Sequence, residues 1–146
     1  MKINSKKNEK IIHLLLKKYK LEDRTVYIVP DISIWAETHG LKEPSSRLAI
    51  TPRRSNSNTR DLVIKELIDG NDIPSVISVF HFHPTQTDFK RLNNLPDFFI
   101  HLIFHEIAHC LGIGNNKGED YKSDQWALKE LDKIDDRVMK EIHLDN

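Results

Sequence analysis

The segment Phe98-Phe99-Ile100-His101-Leu102-Ile103-Phe104-His105-Glu106-Ile107-Ala108-His109-Cys110-Leu111 constrains this chain more than any other. It is longer than a typical strand of about 4–8 residues, so a helix is predicted. Pro96 and Asp97 suit its first turn, where a missing N–H is harmless and negative charge is favoured. Gly112 suits its exit. Apolar residues occupy nearly every side, which predicts a central helix covered on most faces. The whole chain has 146 residues. A domain takes roughly 100–200, so a single domain over residues 1–146 is expected.

Around that helix the patterning predicts an α+β fold. Ile11, Ile12, Leu14, Leu15, Leu16 and Tyr19, set between lysines, predict an amphipathic helix over residues 6–20. Residues 25–29 read as a strand closed by Pro30, and residues 32–37 as a second short strand with Trp35 half buried. A further short strand is expected at 48–51. Residues 53–59 then form an exposed polar loop whose Arg53 and Arg54 are solvated. Asn58 or Thr59 is expected to cap a helix reaching Ile68. Residues 76–82 are rich in β-branched and aromatic side chains and read as the best strand of the chain. Residues 85–94 read as a loop. A last helix over about 121–142 carries Trp126, Leu128, Leu131, Ile134, Val138 and Ile142 on its apolar stripe. The expected architecture is an N-terminal helix, a small twisted mixed sheet over about residues 25–82, the central helix and a C-terminal helix.

Charge and cysteine content exclude several functional classes. Lys and Arg number 22, and so do Asp and Glu. That balance argues against sequence-independent nucleic-acid binding, which needs a cationic surplus. Cys110 is the one cysteine, so no internal disulfide is possible and a packing role is expected. The basic stretch from Met1 to Lys10 precedes an apolar run of only Ile11 to Leu16, interrupted by His13, which is a poor match to a secretory signal. No run approaches the ~20 apolar residues of a membrane span. A cytoplasmic protein with no membrane partner is expected, and no residue pattern specifies an oligomeric state.

Chemistry concentrates in His105-Glu106-Ile107-Ala108-His109. Two histidines four apart on a helix reach the same side and can fill two corners of a zinc tetrahedron. Glu106, one residue on, projects beside the ion and can take a proton from a water that the metal activates. Imidazole and carboxylate groups within an apolar helix are costly unless paired or metal-bound. A third ligand is required. At the start of the last helix Asp120 and Asp124 are four apart on one face, so one can complete the metal site while the other accepts a ligand histidine's N–H. Both also fit the ordinary acidity of a helix start.

Residues His105 to Ala127 resemble a zincin metallopeptidase of the gluzincin type, in which the HExxH helix is followed by a helix bearing E-x-x-x-D. Asp120-Tyr121-Lys122-Ser123-Asp124 matches that second motif with Asp in place of Glu. The short gap between the motifs, the small size and Trp126-Ala127 are similar to the ImmA/IrrE-like peptidases. This resemblance implies a minimal zincin-like fold, Zn²⁺ held by His105, His109 and Asp120, and Asp124 supporting the first histidine. It also implies Glu106 as general base and a protein or peptide substrate. Glu119 is an alternative third ligand because Asp is a methylene shorter than Glu. Continuation through Gly112 to Asn115 also echoes the metzincin pattern, with Asn115 at the third-ligand position.

Other polar residues have less defined roles. His101 and His109 are ~12 Å apart along the axis at about 1.5 Å per residue, so His101, His105 and His109 cannot all bind one ion. His101 is expected to be a polar core or surface residue. His81 and His83 fall on one face of their expected strand, either approaching the cleft to stabilise an oxyanion or forming a solvated strand end. Tyr121 could donate a comparable hydrogen bond, and Lys90 and Arg91 are candidate anion-friendly residues near the cleft. The expected function is zinc-dependent peptide hydrolysis. Two alternatives are a lapsed zincin-fold interaction module and a nucleic-acid-associated SprT-like peptidase, the latter disfavoured by the neutral charge.

Overall fold

The computed structural model describes residues 1–78 and 85–145. It has the expected mixed α+β architecture. In chain order the elements are β1 (Lys2–Asn4), α1 (Glu9–Lys18), β2 (Val26–Val29), α2 (Ile32–Thr38), β3 (Ala49–Ile50), β4 (Leu62–Lys65), β5 (Leu67–Asp69), α3 (Ile73–Ile77), α4 (Gln86–Leu92), α5 (Leu95–Cys110), α6 (Tyr121–Leu131) and α7 (Asp136–Glu141). None of the described helices is long and apolar enough to cross a membrane.

α5 forms where the apolar run predicts. The Asn94 side chain caps it by accepting from Asp97 N, and Pro96 stands in its first turn. Ten of its sixteen residues are buried, which makes it the element around which the others pack. Both α6 and α1 pack against it. Tyr19, Phe104 and Trp126 join these three helices. The Tyr19 and Trp126 rings are 5.2 Å apart, and both stand about 6.1 Å from Phe104 in edge-on geometry for Phe104. The Tyr19 hydroxyl donates to Glu130 Oε1 at 2.5 Å. This partly buried pair holds the phenol well above its ordinary pKa, burial being the largest cause.

The sheet is small and divided. β4 is central, parallel to β2 and antiparallel to β3, while β1 pairs antiparallel with β5. Residues 62–68 were expected to be helical. They form β4 and β5 because Leu62, Val63 and Ile64 are buried, with Val63 and Ile64 paired on both edges, and a strand buried on both faces reads as a continuous apolar run without alternation. Residues 32–37, expected as a strand, form α2. Asp31 caps it by accepting from Ser33 N and Ile34 N, and Ile32 and Ala36, one turn apart, are buried. Trp35 is half buried, as expected.

Three further expectations are corrected. Residues 85–94 are not a loop. Thr85 and Asp88 form a reciprocal capping box that starts α4. Val76 and Ile77 belong to α3, which Pro74 opens, and not to a strand. The rest of that expected strand, from Val79 through Phe82, lies outside the described residues. The single C-terminal helix is two, since the Asp135 side chain accepts from Arg137 N and starts α7 afresh.

β1, for which no strand was expected, exists through non-local pairing. Ile3 is fully buried opposite Ile68, and Lys2 exchanges two 2.8 Å backbone hydrogen bonds with Asp145. Asn8 completes this junction. Its Nδ2 donates to the Asn4 and His143 carbonyls at 3.0 Å, and its Oδ1 accepts from His143 N at 2.7 Å. The residue is 1% exposed, so its removal strands buried polar partners. Asn8→Ala is expected to cost about 1–3 kcal/mol. Asn8→Asp should cost more, because it turns a carboxylate oxygen toward two carbonyls. Urea denaturation of both variants measures this.

Candidate metal centre

Three histidines rise along α5 at four-residue spacing, and Asp120 at the N-cap of α6 and Asp124 within it supply the carboxylates that meet them. Asp124 is the joint between the two helices. Its Oδ1 lies 2.7 Å from His105 Nδ1 and 3.1 Å from His101 Nε2. His101 is 1% exposed, so of the two expected roles, polar core or surface, it takes the first, with Asp124 as a partner. Burial disfavours the Asp124 carboxylate, but the hydrogen bonds from His101 and His105 outweigh it and lower the pKa. Burial lowers the His101 pKa, partly offset by Asp124.

His109 is oriented from the other side. Where α5 ends, Ile113 N donates to the Ala108 carbonyl at 2.8 Å across Gly112, which has φ +87°, and the chain turns back beneath the helix. That return sets Asn115 against His109. Asn115 Nδ2 donates to the His109 carbonyl at 3.0 Å, and a carbonyl only accepts, so the amide's orientation is fixed. Its Oδ1 therefore faces His109 Nδ1, 2.8 Å away. Asn115, a candidate third ligand by the metzincin spacing, instead bonds the nitrogen of His109 that points away from Asp120.

The two Nδ1–H groups are thus committed outward, to a carboxylate and to an amide oxygen. The opposite nitrogens converge. His105 Nε2 and His109 Nε2 are 3.2 Å apart, and Asp120 Oδ1 lies 2.8 Å from His109 Nε2 and 3.5 Å from His105 Nε2. These three ligand atoms all lie within 4.8 Å of one another. With only Nδ1 protonated on each ring, the facing atoms are all acceptors, and they draw in either a further proton or a cation. The pKa directions agree. Burial works against charge on His105, but the Asp120 and Asp124 carboxylates outweigh it and raise its pKa well above the ordinary value. His109 is raised likewise, Asp120 contributing most against burial. Hydrogen bonds from both histidines push Asp120 far below the usual carboxylate range. The residues fit a divalent cation, because two neutral imidazoles fixed by outer oxygen partners plus one carboxylate form a common ligand set for such an ion.

Glu106 stands beside these atoms, 5% exposed, with Oε2 3.9 Å from His105 Nε2. Burial raises its pKa, partly offset by the two histidines. A cleft of about 850 Å³ opens in front of His105, Glu106, His109 and Asp120, bounded opposite by β3 and the hairpin that follows it.

The remaining candidates sort clearly. Glu119 bonds Asn116 in its own loop and Lys122 in the first turn of α6, both at 3.0 Å, and is not part of the candidate ligand cluster. Tyr121 does not line the cleft. His81 and His83 lie outside the described residues. Arg91 is structural, tying α4 to the end of α6 through Asp132 and the Leu131 carbonyl, and Lys90 is exposed. Arg54 is no solvated tip. Its Nε donates to Asp61 Oδ1 at 2.7 Å, its guanidinium also reaches the Asp23 carbonyl and Thr25, and it lines the cleft. Asn115 is the contributor that sequence patterning misplaced. The glycines at 112 and 114 were the available signal that the chain reverses there.

Gly114 has φ +74°, and a Cβ there would collide with Ser123 Oγ and lie 3.1 Å from the Glu119 carbonyl oxygen. Gly114→Ala is therefore expected to lower the melting temperature by several degrees, about 1–3 kcal/mol, and to displace Asn115 from His109. Thermal denaturation and histidine ¹⁵N shifts measure these effects. Burial pushes the Cys110 thiol up to about 12. It should react slowly with iodoacetamide at pH 8 until the protein is unfolded.

Matched against protein-family models, curated proteins and solved structures, the chain has no match in any of the three.

Proposed function

We propose that this protein is a zinc-dependent metallopeptidase of the zincin type, in which His105, His109 and Asp120 hold the ion and Glu106 is the general base. One observation carries this reading. The two histidines bind outward oxygen acceptors through Nδ1, so their Nε2 atoms meet the Asp120 carboxylate beside a buried glutamate at the head of a cleft. Two imidazole nitrogens and a carboxylate that converge on one point, with the outer ring nitrogens already bonded, are the donor set of a three-ligand zinc site with an open fourth position.

A zinc ion bound there supplies Lewis acidity, polarising a peptide carbonyl and making water more acidic. This chain's own groups do the rest. Asp124 and Asn115 hold the imidazole rings in the tautomer with Nε2 free. Glu106 Oε accepts a proton from the attacking water and delivers it to the leaving amine nitrogen. Its burial favours the protonated form, which helps the second transfer, while the histidines keep the carboxylate accessible for the first. β3 is at the sheet edge among the described residues and lines the cleft with Ala49 and Ile50, so an extended peptide can pair along it. Asp120, although shorter than Glu, reaches within 2.8 Å of His109 Nε2, which favours an intact site over a lapsed one.

Glu106→Gln should retain zinc by elemental analysis, at one ion per chain, and lose peptide cleavage by about 10²–10⁴-fold. Undiminished cleavage by that variant sinks the general-base role. Wild-type protein that purifies without metal and takes up none supports the interaction-module alternative.

A further inference from the structure

The wall of the cleft opposite the histidines carries an unbalanced pair of cations. Residues 53 and 60 are directly opposed across the hairpin between β3 and β4, joined in an isolated antiparallel bridge, so Arg53 and Arg60 project to the same face. Both line the cleft that holds Glu106 and His109. Like charges directly opposite on adjacent strands repel. The other arginines of this wall are neutralised within the protein, Arg54 by Asp61 at 2.7 Å and Arg47 by Glu43 at 3.1 Å. Arg53 and Arg60 make no ion pair among the described residues. Arg60 is half buried and donates to the Thr51 carbonyl at 2.8 Å, which fixes its guanidinium against the wall. Burial, with Arg53 next in weight, pushes the Arg60 pKa down, and Cys110 and Glu106 offset this only in part.

We propose that Arg53 and Arg60 form an anion subsite that takes a carboxylate of the bound peptide, from an acidic side chain near the scissile bond or from the peptide's own C-terminus. Two guanidinium groups present the forked donors that match a carboxylate. A nucleic-acid phosphate is the less suitable ligand, since the pair sits within a cleft and the chain has no net positive charge to draw a polyanion. The assignment of this anion as a peptide group rests on the metallopeptidase reading above.

The test measures binding and cleavage separately. Zinc-supplemented Glu106→Gln protein is titrated with fluorescein-labelled, N-acetylated nonapeptides. The set has a neutral sequence with a C-terminal amide, the same sequence with two Glu, the same with two Lys, and the neutral sequence with a free C-terminal carboxylate. The Glu peptide or the free-carboxylate peptide should bind at least ten-fold more tightly than the neutral amide, and which of them does so identifies the source of the anion. The added R53Q/R60Q double substitution should abolish that preference, and R53K/R60K should keep most of it. Arg53 has no hydrogen bond among the described residues, so R53E leaves folding intact and should shift preference toward the Lys peptide. Failure of both the Glu peptide and the free-carboxylate peptide to outbind the neutral amide, a preference that survives R53Q/R60Q, or displacement of the peptide by a single-stranded oligonucleotide at lower concentration would overturn the proposal. Wild-type protein with zinc is then incubated with the same peptides and the products are read by mass spectrometry. Acidic peptides bound through the pair but left uncut would refute the peptidase reading and leave the subsite standing. Cutting without any acidic preference would do the reverse.

Discussion

A single carboxylate oxygen, Oδ1 of Asp124, joins the two halves of the site. It accepts from His101 and His105 on α5 while its backbone belongs to α6, so the pairing of these helices and the orientation of the first histidine are one event. The cost of burying a carboxylate and an imidazole is offset only when both are bonded, which makes the arrangement all-or-none in the interior. Apolar packing of Phe104, Ile107, Ala127 and Leu131 brings the helices together, and Asp124 selects the rotation at which they stop.

The residues of the candidate centre were largely legible because helical spacing is local. His105, Glu106, His109, Asp120 and Asp124 occupy positions whose faces follow from counting residues along two helices. Asn115 was visible as a residue at a ligand-like distance, but whether its amide meets Nε2 or Nδ1 depends on how the chain reverses through Gly112 and Gly114. Spacing contains no information about that turn. The same limit explains the arginines. Arg54 looks like part of a charged loop until Asp61 and the Asp23 carbonyl, seven and thirty-one residues away, close around it.

The strands show the opposite balance between local and distant determinants. Leu62-Val63-Ile64 has no period that separates a buried strand from a buried helix, and only its two neighbours decide the outcome. Residues 32–37 alternate well enough to suggest a strand, yet the Asp31 cap and the burial of Ile32 with Ala36 make a helix. At Thr85 the capping box was written plainly in Thr85 and Asp88, and the polar composition of the segment hid it. At these two segments the cap, and not the composition, decided the element, whereas the cap expected at Asn58 or Thr59 lost to strand pairing.

The hairpin bearing Arg53 and Arg60 continues directly from β3 and β4, and β4 is held on both edges within the core. This side of the cleft is thus rooted in the sheet and not hung from a free loop, while α5 fixes the other side. The interval from guanidinium groups to Glu106 becomes a built-in gauge. Under the peptidase proposal, an extended substrate between them would be measured in residue lengths of about 3.3 Å, so the position of its anchoring group would decide which backbone bond comes to rest before the glutamate.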